Sequence, residues 1–122
     1  MPYSTGMITN TRATGTAAAN VVVSTRNTSS SSAVILVAVF GVPSSTLIPL
    51  DLTSYVVPPY GVDIREFFIE GNIAYEVQLS ELSILAQVLF STYGIDEYGN
   101  IVTEQRVLNS ELTEIQAISP TS

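Results

Sequence analysis

The sequence predicts an all-β chain: one antiparallel β-sandwich, jelly-roll-like, of about seven strands with an extended N-terminal arm. Three observations carry this expectation. Runs of Val, Ile, Leu, Phe and Tyr recur at a spacing of roughly 8–12 residues, the interval of sandwich strands. Clusters of Ser, Asn, Gly and Pro separate them, as turns require. No stretch holds a helical period long enough to cross between parallel strands, which sets α/β architectures aside. At 122 residues and 46% hydrophobic, the chain has the length of one domain and the apolar content of one core.

Residues 1–16 are polar and rich in Thr, and read as a flexible arm with no partner inside its own chain. The Thr spacing also suits an extended strand wherever an edge is offered. Residues 17–108 hold the sandwich. Ala19–Asn27 is β-branched and ends in a polar turn, Thr28–Ser32. Ala33–Phe40 is apolar throughout, so Ile35 or Leu36, with Val37 and Phe40, belongs to a central strand buried on both faces. Leu47–Val57 contains Pro49, which has no amide to donate, so it is an edge strand or starts after the proline.

Pro58-Pro59-Tyr60-Gly61 is a turn. In Val62–Glu70, Val62 and Ile64 share one face, while Phe67 and Ile69 share the other. The alternation slips at Arg65-Glu66, as at a β-bulge or a short irregular stretch. Gly71-Asn72 signals a tight hairpin. Ala74–Ser80 alternates cleanly, with Tyr75, Val77 and Leu79 inward and Glu76, Gln78 and Ser80 outward. Ile84–Gly94 is the next strand. Ile95–Asn100 is a hairpin loop with Gly99 at its positive-φ position, and Ile101–Leu108 returns. Residues 109–122 form a polar tail with Leu112, Ile115 and Ile118 embedded.

The missing residue types narrow the chemistry. The chain has no Cys, His, Lys or Trp, so the usual nucleophile–base pairs, zinc clusters and lysine Schiff bases cannot be built. The expectation is a protein that is not an enzyme and takes no cofactor or metal. The net charge is −7, eleven acidic residues against Arg12, Arg26, Arg65 and Arg106. That sign disfavours nucleic acid and anionic membrane surfaces. The longest run free of polar side chains, Ala33–Pro43, is far short of the roughly 20 residues that span a bilayer. Only 12% of residues are charged, so a neighbour can pack against the surface with few ions to desolvate.

Four constellations could carry chemistry. Asp63, Glu66 and Glu70 would have to flank a cleft to work as an acid–base pair, and a solvated face explains them equally. Asp96-Glu97-Tyr98-Gly99-Asn100 lacks the ligand spacing of a calcium loop and reads as a turn. Asn27-Thr28-Ser29 fits a glycosylation sequon. Tyr60 and Tyr98, in predicted loops, could face a sugar together with Tyr55 and Tyr93.

Three segments carry a resemblance: Tyr3-Ser4-Thr5-Gly6-Met7-Ile8-Thr9-Asn10-Thr11-Arg12-Ala13-Thr14-Gly15, Tyr75-Glu76-Val77-Gln78, and Val107-Leu108-Asn109-Ser110-Glu111-Leu112-Thr113. They resemble small β-sandwich proteins of spore-forming Firmicutes. The layout is similar to that of spore-surface (endospore) appendage subunits, in which a flexible N-terminal connector precedes a jelly roll. The resemblance implies a bacterial β-sandwich without enzyme activity. The cysteines that cross-link those subunits are absent here, so any joint would be non-covalent.

The functional expectation is a self-assembling subunit of an extracellular filament, appendage or surface layer whose partners are copies of itself. Residues Tyr3, Met7, Ile8, Thr9, Thr11 and Arg12 of the arm would make the contact by adding a strand to a neighbour. The opening residues show neither a basic nor an apolar signal region, so a place on the spore or cell surface would call for another route, such as release from a mother cell, or for a signal already trimmed away. The alternatives are a carbohydrate- or partner-binding module using Tyr60 and Tyr98, and a viral or phage coat component.

Overall fold

The unbroken apolar run after Ser32 must be covered on both faces, and the fold puts it at the centre of a sheet. The computed structural model describes residues 2–84 and 86–119. Among these, the strands are β1 Pro2–Ser4, β2 Ile8–Thr9, β3 Asn20–Asn27, β4 Ala33–Val42, β5 Ile48–Val57, β6 Val62–Phe68, β7 Ala74–Glu81, β8 Val88–Ile95, β9 Ile101–Val107 and β10 Thr113–Glu114. The first sheet runs β10-β1-β7-β4-β5, with β2 also on β7; the second runs β6-β3-β8-β9. All pairings are antiparallel.

The lateral order repeats between the sheets. β6-β3-β8 in one sheet continues as β5-β4-β7 in the other. The body is therefore a three-stranded ribbon folded once on itself, with the inward side chains of its two halves meeting. Val21, Val23 and Phe90 from one half meet Ile35, Val37, Val39, Tyr75, Val77 and Leu79 from the other in a single buried cluster. Each fully buried Val or Leu contributes about 1.5–3 kcal/mol.

All three crossings sit at one end, and hydrogen bonds stitch them together. Tyr60 N donates to Ser29 O at 3.1 Å, and Thr28 N donates to Gln87 O at 2.9 Å. Asn27, 1% exposed, lies among them. Its Nδ2 serves Ser31 O at 2.7 Å, Val57 O at 3.2 Å and Pro58 O at 3.2 Å. Its Oδ1 accepts from Ser29 N at 3.0 Å and Ser29 Oγ at 2.7 Å. This amide is not available as a glycosylation site, because its nitrogen is committed inside the fold.

Several expectations hold. β4 is central, β5 is an edge as Pro49 requires, and the register of β4 on β5 shifts where the proline falls. Gly99 turns the β8–β9 hairpin at φ 85°. Others need correction. β6 has no bulge, since its pairing with β3 runs without a shift from Asn20–Phe68 to Arg26–Val62. Instead Asp63, Arg65 and Phe67 point to the inner side, while Val62, Ile64 and Phe68 face outward. Arg65 can occupy that side because its guanidinium lies 3.9 Å from the Tyr55 ring centre and its Nε donates to Asp63 Oδ2 at 2.7 Å. The cation is thus stacked and paired rather than stranded.

The strand expected from Ile84 begins only at Val88. Ile84, Ala86 and Gln87 belong to no strand, and Leu85 lies outside the described residues. The tail is not free. A 3₁₀ turn at Asn109–Glu111 leads into β10, which pairs with β1. Further on, Ser119 N donates to Gln78 Oε1 at 2.8 Å, and Gln78 Nε2 donates to Ser119 Oγ at 2.8 Å. The tail therefore crosses the outer side of the first sheet. Gln78 and Ser80 are accordingly buried there, although their alternation reads as solvent-facing. Phe40 and Ala38 are buried on the same outward side of β4. Residues 120–122 of the tail lie outside the described residues.

Two stability measurements follow. Asn27→Ala orphans the buried Val57 carbonyl and takes a partner from the part-buried Ser31 and Pro58 carbonyls, and is expected to cost about 2–3 kcal/mol in urea unfolding; a loss below about 0.5 kcal/mol would remove Asn27 as the stitch. Thr92 Oγ1 is buried with no hydrogen-bond partner among the described residues. Thr92→Val keeps the shape and deletes that hydroxyl, so the melting temperature should rise, by about 1 kcal/mol of stability.

Candidate functional site

A strand edge exposes N–H and C=O groups that need partners. β7 has such an edge on the side away from β4, and the N-terminal arm fills it. Pro2, Tyr3 and Ser4 lie opposite Ser80, Leu79 and Gln78, and Ile8 and Thr9 lie opposite Tyr75 and Ala74. Between the two short strands the arm lifts off. Thr5 N still donates to Val77 O at 3.0 Å, but Val77 N donates to the Thr5 hydroxyl at 3.0 Å, which replaces the missing carbonyl. Gly6 makes the kink at φ 72°, a backbone conformation that costs a side chain energy.

The arm is therefore paired within its own chain, contrary to the expectation of a free connector. The physical reason is the β7 edge, which offers the strand partner that the Thr-rich pattern suits. Its residues divide by role. Tyr3 shares the inward side of Leu79 and lines a groove of about 460 Å³ with Glu81, Gln87, Val88, Phe90 and Asn109. Ile8 packs on the core cluster. Met7 and Thr9 are exposed, as are residues 11–15, where Thr11 bridges Thr16 across a small loop.

Asn10 is the arm's anchor. It is fully buried, its Nδ2 donating to Ala18 O at 3.2 Å and Asn72 O at 3.0 Å while its Oδ1 accepts from Ala18 N at 2.7 Å. Gln105 completes the cluster. Its Nε2 donates to Asn10 Oδ1 at 2.8 Å and Thr9 O at 3.1 Å, and its Oε1 accepts from the Tyr75 hydroxyl at 3.0 Å. Gln105 reaches inward because β9 carries a wide irregularity: Gly94 pairs with Val102, whereas Thr92 pairs with Val107. Gly94 makes the room, since a Cβ there would sit 1.9 Å from Gln105 Oε1. Sequence reading missed Asn10 and Gln105. The glycine inside an otherwise bulky strand was the available signal, because such a residue marks close approach.

Arg12 holds the loop from outside. Its Nη2 lies 3.0 and 2.9 Å from the two Glu97 carboxylate oxygens, and its Nε donates to Thr14 O at 2.7 Å. The Glu97 hydrogen bond holds the guanidinium pKa above its ordinary value. Beside it, Asp96 Oδ1 accepts from Tyr98 N at 2.9 Å and Asn100 N at 2.8 Å, which shapes the hairpin. Hydrogen bonding, chiefly from Asn100, keeps its carboxyl pKa below the usual range.

The other candidates are not brought together. Tyr60 sits at the crossing end and Tyr98 in the β8–β9 hairpin at the opposite end, so they do not form one platform. Asp63 faces inward, paired with Arg65, while Glu66 faces outward and Glu70 lies beyond the end of β6. Among the described residues no three acidic side chains gather as a metal site requires. Nor is any helix there long and apolar enough to cross a membrane.

Tyr60 is notable for another reason. Gly61 N donates to Pro58 O at 2.9 Å across a tight turn, and Tyr60 holds φ 56° in it while the residue is 70% exposed. That backbone region suits Gly or Asn, so the turn stores strain at an exposed aromatic.

No protein-family model, curated protein or solved structure matches this sequence.

The buried Tyr75 gives the site a pH signature. Burial pushes its phenol pKa well above the ordinary value near 10. The folded state thus keeps a proton that the unfolded state releases, so this contribution is intact below about pH 10 and lost as pH rises further. Tyr55 is also raised, by desolvation first. Tyr75→Phe should therefore flatten the alkaline loss of stability by about 1.4 kcal/mol per pH unit between roughly pH 10 and 12. Equal slopes in chemical unfolding series would show that Tyr75 ionises freely in the folded chain.

Proposed function

We propose that this chain is a structural, self-assembling subunit of an extracellular filament, appendage or surface layer, joined non-covalently by exchange of its N-terminal arm. One observation carries the reading: the arm is a strand of the body's sheet yet is tied to the body through the exposed loop at residues 11–15. Every other copy of the chain, without exception, presents the same β7 edge and the same Ala18, Asn72 and Gln105 partners for Asn10. An arm that leaves one body and docks on the next therefore recovers the bonds it gave up. Exchange of an identical element is a low-cost route to assembly, and a head-to-tail exchange that does not close grows an open polymer. The balance between own and neighbouring arm then follows protein concentration and strain in the loop.

The physical character of the joint supports this use. It combines ladder hydrogen bonds, apolar contact at Ile8 and a buried polar cluster. Its one visible ion pair, Arg12–Glu97, is partly exposed and worth about 0–1 kcal/mol. Such a joint is nearly blind to salt, and with −7 on each subunit added salt favours association. A place outside the cell or on the spore or cell surface fits a chain without Cys whose joint is non-covalent. A second reading, a carbohydrate- or partner-binding module, draws on the strained, exposed Tyr60 alone.

Electron microscopy and light scattering test the proposal. The full chain should form polymers that persist in molar salt. Deleting residues 1–16 should abolish them, and an excess of synthetic peptide 1–16 should shorten those of the full chain by occupying the β7 edge. Polymers unchanged by both treatments would remove the arm from the joint. A monomer in every condition that binds glycan through Tyr60 would favour the second reading.

A further inference from the structure

The outer face of the second sheet presents a broad apolar surface, and the strand registers lay it out in rows. Reading across β6, β3 and β8, these are Val62–Arg26–Leu89, Ile64–Ser24–Ser91, Glu66–Val22–Tyr93 and Phe68–Asn20–Ile95, with Ile101 of β9 extending the last. Val62, Ile64 and Phe68 are 61, 65 and 66% exposed, and Ile101 is 57% exposed. The outer face of the first sheet differs, because the tail crosses it at Gln78.

We propose that this face binds a second copy of the chain, face to face, about a two-fold axis perpendicular to the strands through the Ser24–Ile64 row. The contact goes beyond arm exchange and does not rest on it, since the arm uses the edge of the other sheet. Charge selects the occupant. A chain of net charge −7 repels its copies, yet the rows contain one cation, Arg26, and one anion, Glu66, and so are neutral. A like-charged copy meets least repulsion here.

The positions of those two charges select the geometry. Arg26 and Glu66 lie one row to either side of the Ser24–Ile64 row. Rotation about that row seats the Arg26 row of each copy on the Glu66–Val22–Tyr93 row of the other. Each guanidinium then gains a carboxylate and a tyrosine ring, and the interaction occurs twice because the interface is isologous. Ile64 meets its own counterpart on the axis. About the Ser24–Ile64 row only the first three rows face each other, and three strands about 4.8 Å apart by three rows about 6.7 Å apart span roughly 300 Å² per copy, or about 600 Å² for the pair. That is below the roughly 1,000 Å² of a stable specific interface, so the pair is a weak, reversible contact that depends on the two Arg26–Glu66 pairings.

Charge reversal tests the pairing in the full chain, by sedimentation equilibrium and, for polymers, by filament width in electron micrographs. R26E and E66R should each weaken pairing by about tenfold or more, as like charges then face each other. The double variant R26E/E66R should restore it to within about threefold. Ile64→Glu, which sets two carboxylates together on the axis, should abolish it. All three sites are exposed or lie at the surface of the sheet, and circular dichroism checks that the fold is kept. Equal mass and width in all variants would overturn the proposal, as would single-variant losses that the double variant does not repair. Arm-joined filaments that narrow but do not shorten in Ile64→Glu would support it, with arm exchange left standing.

Discussion

The folding of one ribbon onto itself depends on satisfying the backbone where three crossings converge, and the Asn27 amide does most of that work. A sandwich without such a corner would leave the buried Val57 carbonyl without this partner, at about 1–3 kcal/mol, and the part-buried Ser31 and Pro58 carbonyls of the β3–β4 and β5–β6 connections less well satisfied. Asn supplies two donors and one acceptor from a short side chain, which Asp, Ser or Thr cannot match in this geometry. Because the amide ties Ser31 to Val57 and Pro58, it sets the distance between two connections and so the alignment of β4 on β5. The apolar core then fills a frame whose corner is fixed.

The opposite end uses the same device for a different purpose. Asn10 and Gln105 form a buried polar cluster that pins a segment distant in sequence to the body. Apolar contact alone specifies the docking of a short strand poorly, since strand pairs slip when neither face is strongly patterned. A buried amide penalises every register but one, because a slip would strand its donors. In a chain without Cys, this pair of polar pins gives the arm a unique seat that is still reversible. The same property makes the seat equally valid for an arm from another copy.

Much of the fold was legible in the sequence because strand placement follows from local composition. The β-branched run at Val21–Val23, the continuous apolar run of β4, the proline in β5 and the glycine of the β8–β9 hairpin each carry their own signal. What was not legible depended on contacts between distant segments. The inner face of β6 holds Arg65 because Tyr55, on another strand, supplies a ring to stack on. Gln78 is buried because a tail some forty residues away lies over it. The arm's destination depended on which edge stayed open, and its anchor on an irregularity in β9 visible in the sequence only as Gly94. The aromatic pair Tyr60 and Tyr98 failed as one site for the same reason, since loop assignment was right but loop location was not encoded locally.

The loop that tethers the arm also determines how the protein meets a protease. With no Lys in the chain, trypsin has only the four Arg bonds to attack. Arg26, Arg65 and Arg106 lie within strands, whereas Arg12 lies in the exposed loop. Exposed loop tips are the preferred sites of nicking. Cleavage after Arg12 would convert a tether into a two-piece complex without removing a single ladder bond. The released segment, residues 1–12, would still carry Asn10, so the nicked protein behaves as a receptor with its own peptide ligand in place. Its dissociation rate would then report, in one copy, the strength of the seat that a neighbouring arm would occupy.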